Sequence, residues 1–289
     1  MTRTINSHDF DVSLRPLFFK DNDGNFFESS KYAIVRNDNM NELGTVSNRY
    51  CPLLHTEATE IVEEELNKLT NVGAYEVETA LNKTGAIMHR SYTFKDVQRE
   101  VSKGDIVGMR LRIVNGIDGL HGFSAFMDGL RLVCTNGMTT TKEFYSVSLR
   151  HYTSGMDHHA IQEFSRNMFD SFDKLMVTYK DWANEKINDR RAQLILQLLP
   201  KRMAKKSLLA FPSNTDGSKW GLYNTMTYVN SHESNSKSAS AEFIRINNGM
   251  KITSLMNSKT YFDMDIPVLQ AIVDKKNKKD EEMENVDFE

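Results

Sequence analysis

The period of the apolar residues changes once along this chain, and that change constrains the fold more than any other feature. Five runs between residues 74 and 137, AYEVETAL, AIMHRSYTF, GDIVGMRLRIVNG, GFSAFM and GLRLVCTNG, are short and rich in β-branched or aromatic residues. Gly, Asn, Asp or Lys bound them, as in strands joined by turns. Over 157–190 the pattern differs: Ile161, Phe164, Met168, Phe172, Leu175, Tyr179, Trp182 and Lys186 fall three or four residues apart, the spacing of one helix face. The two periods in succession predict an α+β chain, a central antiparallel meander sheet packed on a long amphipathic helix. Within GDIVGMRLRIVNG, Met109, Leu111 and Ile113 alternate with Arg110, Arg112 and Val114. Successive side chains of a strand leave on opposite faces, so Arg110 and Arg112 share the face turned away from the apolar row.

The flanking segments divide the chain further. Residues 1–30 read as an N-terminal arm or hairpin turning at Asp23-Gly24. KYAIVR reads as a strand, with residues 44–50 as its return, and a helix capped by Thr56 follows, with Ala58, Ile61, Val62, Leu66 and Leu69 at helical spacing. Residues 192–199 continue the helical pattern until Pro200 ends it, 211–217 form a loop, and Leu222, Tyr223, Met226 and Val229 mark another helix. Residues 239–272 fit helix or strand equally. One domain is expected over 31–272, sheet-rich to 155 and helix-rich from 156, and then a disordered charged tail, 273–289, in which four lysines precede a run of carboxylates.

At 289 residues the chain can bury a core without disulfides. Cys51 and Cys134 lie far apart with no Cys-x-x-Cys pattern, and both read as buried apolar residues. MTRTINSHDFDVSL has no apolar secretory core, and no run of eighteen apolar residues exists, so a cytoplasmic protein with no membrane contact is expected. There is no Gly-x-Ser-x-Gly elbow, P-loop, GxGxxG or His-Glu-x-x-His spacing, and no catalytic, metal or cofactor site is assigned. The adjacent His158 and His159, with His151 nearby, project about 100° apart in a helix and cannot both be expected on one ion.

The remaining signal is a crowd of cations and rings. Arg110, Arg112, His121, Phe123, Phe126, Arg131, Arg150, His151 and Tyr152 lie within a short stretch of a chain whose net charge is only −3. Any nucleic-acid surface must therefore be local. Arginines that neutralise phosphates beside rings that stack on bases suit single strands, and Lys201, Arg202, Lys205 and Lys206 would extend the basic track. The expected function is non-enzymatic binding, with annealing an open question, of single-stranded DNA by a homo-oligomer. Two alternatives stay open. One is a metal-dependent nucleic-acid enzyme using Asp105, Asp118, Asp128 and His151, and the other a structural or host-interaction protein without DNA affinity.

Ser47-Asn48-Arg49-Tyr50, Gly104-Asp105, the run from Val114 to Gly119, the run from Arg131 to Gly137, and Leu149-Arg150-His151-Tyr152-Thr153 resemble the phage/plasmid-like protein family of unknown function. Tyr223-Asn224, Thr227-Tyr228 and His232 fit the same pattern, and Tyr152 interrupts the family's usual His-Thr pair. The resemblance covers about 30–260 and implies a place beside phage replication or recombination genes. The layout, a curved antiparallel sheet followed by a long helix, is also similar to that of the single-strand annealing superfamily. The acidic end, with Asp280, Glu281, Glu282, Glu284, Asp287 and Phe288, resembles the tails of single-stranded-DNA-binding proteins, which compete with DNA and recruit replication or recombination partners. Here Glu289 follows the phenylalanine.

Overall fold

The computed structural model describes residues 8–69, 73–131, 136–138, 146–151, 158–232 and 239–286. Cys134, Tyr152, Asp287 and Phe288 lie outside the described residues. The chain opens with an antiparallel three-stranded sheet in the order β1 (Val12–Lys20), β2 (Phe26–Arg36), β3 (Glu42–Ser47). Asp21 makes the first turn: its Oδ1 accepts from the backbone N–H of Asp23 and Asn25 at 3.0 and 2.8 Å, and Gly24 takes φ +92°, a conformation that favours glycine. The boundary expected at residue 30 falls inside β2.

Helix α1 (His55–Lys68) follows. Thr56 lies in its first turn and does not cap it; the Glu57 carboxylate accepts the Leu54 N–H at 2.9 Å instead. The second sheet is also antiparallel and runs β4 (Tyr75–Leu81), β5 (Ile87–Ser102), β6 (Asp105–Gly116), β7 (Phe123–Arg131), with β8 (Asn136–Met138) and β9 (Ser146–Leu149) both pairing with β7. Met109, Leu111 and Ile113 are fully buried on one of its faces, in a cluster that also holds Ala58 and Leu66 of α1 and Phe172 and Tyr179 of the next helix, α2 (His158–Asn184).

The period expected to run unbroken through 157–190 breaks at Asn184. Residues 185–187 pair with the backbone of 217–219, and Asn188 starts α3 (Asp189–Gln197) by accepting the N–H groups of Arg190 and Arg191. A side chain that caps a new helix competes with continuing the old one. Helix α4 (Lys201–Asn214) absorbs most of the expected loop at 211–217, with Pro212 in its last turns. Helices α5 (Lys219–His232), α6 (Ala239–Asn257), α7 (Lys259–Asp263) and α8 (Ile266–Val286) complete the chain. The ambiguous stretch 239–272 is therefore helical.

The tail departs from expectation too, since residues 273–286 are helical. Lysines followed by carboxylates place opposite charges one turn apart, and Lys276 Nζ meets Asp280 Oδ2 at 2.7 Å across an i,i+4 step. Cys51, expected in the core, is exposed in the loop after β3. Among the described residues no helix is long and apolar enough to cross a membrane.

Candidate functional site

The strand β6 directs Arg110 and Arg112 to the face of the six-stranded sheet opposite the main core, as alternation requires. That face is covered: Ile246 of α6 packs with Val114 and Phe126 on it. Arg110 reaches Asp128 through Nε at 2.9 Å and Nη2 at 3.2 Å, and Arg112 Nη2 meets the same carboxylate at 2.7 Å. Asp128 is fully buried and Arg112 is 4% exposed. Burial, with the neighbouring Arg110, pushes the Arg112 guanidinium down to about 10. Glu242 of α6 faces Arg112 at 3.9 Å and pairs with Arg245; although burial opposes its charge, these two guanidinium groups hold its carboxyl below the usual range.

Several expectations are corrected here. Arg110, Arg112 and Arg131, expected on phosphate, are ion-paired within the fold; Arg131 grips Asp105 at 2.6 and 2.9 Å, and Asp105 also accepts from the buried Trp220 indole at 2.7 Å. Phe123 and Phe126 are 0% and 2% exposed and offer no face to a base. For Arg110, Arg112 and Phe126, strand alternation reports the face and not what covers it, whereas Phe123 lies in the main core beside Ala125 and Met127.

The other expected residues meet elsewhere. His121, Arg150 and His151 line one cleft of about 390 Å³ together with Tyr50, Leu120 and two glycines. The wall is tight: a Cβ on Gly122 would lie 2.2 Å from the Leu149 carbonyl oxygen, and Gly119 sits at φ +77°. Tyr50 and His151 stack with ring centroids 5.6 Å apart. The Tyr50 hydroxyl lies 3.1 Å from His151 Nδ1, and the Leu53 N–H donates to that same nitrogen at 3.3 Å. Nδ1 is then an acceptor, so the imidazole proton sits on Nε2, which is buried and has no partner. Burial lowers the His151 pKa to about 4, and the ring is neutral near pH 7. Burial, reinforced by Asp118, pushes the Tyr50 phenol upward, leaving it a hydrogen-bond donor.

Asp118 builds the rim. It accepts the backbone N–H of Leu120 and His121 at 2.9 and 2.8 Å and His121 Nδ1 at 2.6 Å. Behind the cleft, His55 Nε2 donates to the Gly85 carbonyl at 2.9 Å, and its Nδ1 accepts from the Asn115 amide, which also donates to the Leu53 carbonyl at 3.0 Å. Burial lowers the His55 pKa to about 4, so this buried relay is neutral and ties the end of β6 and the turn at Gly85 to the start of α1, next to Leu53.

Tyr50 was visible in the quoted motifs but carried no expected binding role, since nothing local ties residue 50 to residue 151, and Asp118 was expected only in the metal-dependent alternative. The carboxylates of the metal-dependent alternative do not converge: Asp105, Asp118 and Asp128 are held respectively by Arg131, His121 and the Arg110–Arg112 pair. Among the described residues no group of three His, Cys, Asp or Glu side chains is placed to hold an ion. Lys201, Arg202 and Lys205 are exposed on α4, outside the cleft lining. Of the tail residues, Asp280 pairs with Lys276, and Glu281 and Glu282 are exposed on α8.

Residues 42–250 match the family described as a domain of unknown function, DUF932. The match spans well over half of the chain, which belongs to this family. No curated protein and no solved structure matches it.

Proposed function

We propose that this DUF932 protein binds single-stranded DNA, taking one unstacked nucleotide into the cleft of Tyr50, His121, Arg150 and His151. The observation that carries the reading is the buried, unpartnered Nε2–H of His151 beside a ring pair and an arginine in one concave space. A buried donor without an acceptor is costly, and a phosphate or base oxygen would satisfy it. Arg150 is exposed at the rim, where a guanidinium attracts phosphate in a salt-dependent way. The glycine walls let a ligand approach the backbone closely, and a cleft of this size admits a splayed nucleotide but no duplex. The resemblance to phage and plasmid proteins supports work beside replication or recombination.

The test is fluorescence anisotropy with a labelled oligonucleotide, single-stranded and as duplex, across a salt series. Tighter binding of the single strand, weakening steeply with salt, is expected. Equal affinity for both forms, or none at low salt, would sink the reading, and magnesium-dependent cleavage would favour the enzymatic alternative.

A further inference from the structure

The ribbon formed by β1 and β2 is longer than the sheet it belongs to. β3 pairs only with Lys31 to Val35 of β2, while the β1–β2 ladder continues outward to Lys20 and Phe26. The overhang is a two-stranded finger with phenylalanines on both faces. Phe19 and Phe27 are directly opposite and stack at 5.6 Å; Phe18, opposite Glu28, and Phe26, opposite Lys20, lie on the other face. Their exposures are 57%, 47%, 57% and 71% respectively. An isolated ribbon is at best marginally stable in water, and an exposed aromatic cluster of this kind marks an interaction surface.

The same chain carries a receptacle of matching chemistry. A pocket of about 450 Å³ lies among α4, α5 and α6, its apolar lining formed by Pro200, Met203, Ala241 and Ile244, with Arg202 and Arg245 beside them. Ile244 is 60% exposed. Charges match on balance as well: the finger carries Asp21, Asp23 and Glu28 against the one cation Lys20, whose Nζ lies over Phe26, whereas Lys201, Arg202 and Lys205 are exposed on the pocket's helix α4. Acidic residues round an apolar tip and basic residues round an apolar pocket steer one to the other.

We propose that the β1–β2 finger of one copy seats its phenylalanines in the α4–α6 pocket of a second copy. Finger and pocket are different surfaces, so the contact is heterologous, and each copy keeps one of each for a further neighbour. Such contacts grow into rings or open chains rather than closed dimers. The contact itself needs no DNA.

Sedimentation velocity on the full chain tests this. Wild type should form species larger than a dimer that dissociate as salt rises. Phe19→Asp with Phe27→Asp removes the finger's apolar stack, and Ile244→Glu blocks the pocket; all three positions are exposed, and thermal unfolding should confirm that both variants fold. Each variant alone should be monomeric. Mixed in equal amounts they should form a dimer and nothing larger, because the finger variant keeps an intact pocket and the pocket variant an intact finger. A monomeric wild type, assembly unchanged in either variant, or a mixture that stays monomeric overturns the proposal. Loss of DNA binding in the finger variant with assembly unchanged also overturns it, and makes the finger a base-stacking surface. Arg150→Ala should leave assembly intact, which separates this contact from the cleft.

Discussion

Two regions of this protein hold the residues that a nucleic-acid reading of the chain selects, and they have opposite characters. On the α6-covered face of the six-stranded sheet, Arg110 and Arg112 share one carboxylate that is fully buried. In the cleft, Arg150 is exposed and a buried imidazole keeps an unspent donor. The first region ties its arginines into ion pairs inside the fold, although Arg112 Nε has no partner there, and the second leaves a guanidinium at the surface. An arginine's surroundings thus depend on what faces it: Arg112 is 4% exposed against Asp128, whereas Arg150 is exposed beside the cleft.

The largest expected effect tests the scaffold half of that comparison. Asp128→Ala strands two guanidinium groups, one of them buried, and should cost about 3–5 kcal/mol in urea unfolding. A loss below about 1 kcal/mol would mean that water already reaches the pair, and the two regions would no longer differ in kind.

Acid should act on both regions together. Burial, with Arg112 as the next cause, lowers the His89 pKa to about 3, and burial lowers His55 and His151 to about 4. The unfolded chain takes up these protons near pH 6.5, whereas the native state resists until about pH 3–4. Stability is therefore complete above about pH 6.5 and is lost as pH falls through that window, by up to about 1.4 kcal/mol per pH unit for each histidine. Urea midpoints measured from pH 4 to 8 check the slope, and His89→Gln and His151→Gln should each remove one histidine's share. A flat profile would show that the imidazoles are hydrated.

Arg150→Ala sharpens the contrast from the cleft side. Single-stranded DNA affinity should fall about tenfold, close to 1.4 kcal/mol, while unfolding stability stays within about 0.5 kcal/mol. A large loss of stability without a loss of affinity would turn Arg150 into scaffold. The smallest change is Tyr50→Phe, which deletes the hydroxyl that donates to His151 Nδ1 and should cost about 0.5–1.5 kcal/mol of stability. No measurable change would detach Tyr50 from the imidazole's tautomer.

How far these regions could be read beforehand follows from the range of the forces involved. Alternation in GMRLRIV identifies the strand, its apolar row and the shared face of Arg110 and Arg112, because a two-residue repeat is a property of local backbone geometry. The Asp-Gly turn is local in the same way. The break at Asn184 was harder to see, since Tyr179, Trp182 and Lys186 keep a helical spacing across a point where residues 185–187 pair instead with 217–219. The helical end of the chain was misread because a charge block was taken for repulsion, when one turn of helix sets lysine against carboxylate.

Composition and periodicity thus determined by themselves a chain of antiparallel strands and several helices, one apolar sheet face and a nearly balanced charge. Only the tertiary structure decided that Phe123 and Phe126 are core, that Asp128 neutralises two arginines, and that Tyr50 reaches across a hundred residues to His151. Periodicity is written by neighbours three or four positions apart, whereas burial and pairing depend on which distant segment comes to lie on each face. α6 covers the sheet's polar side, and no repeat within β6 carries that information.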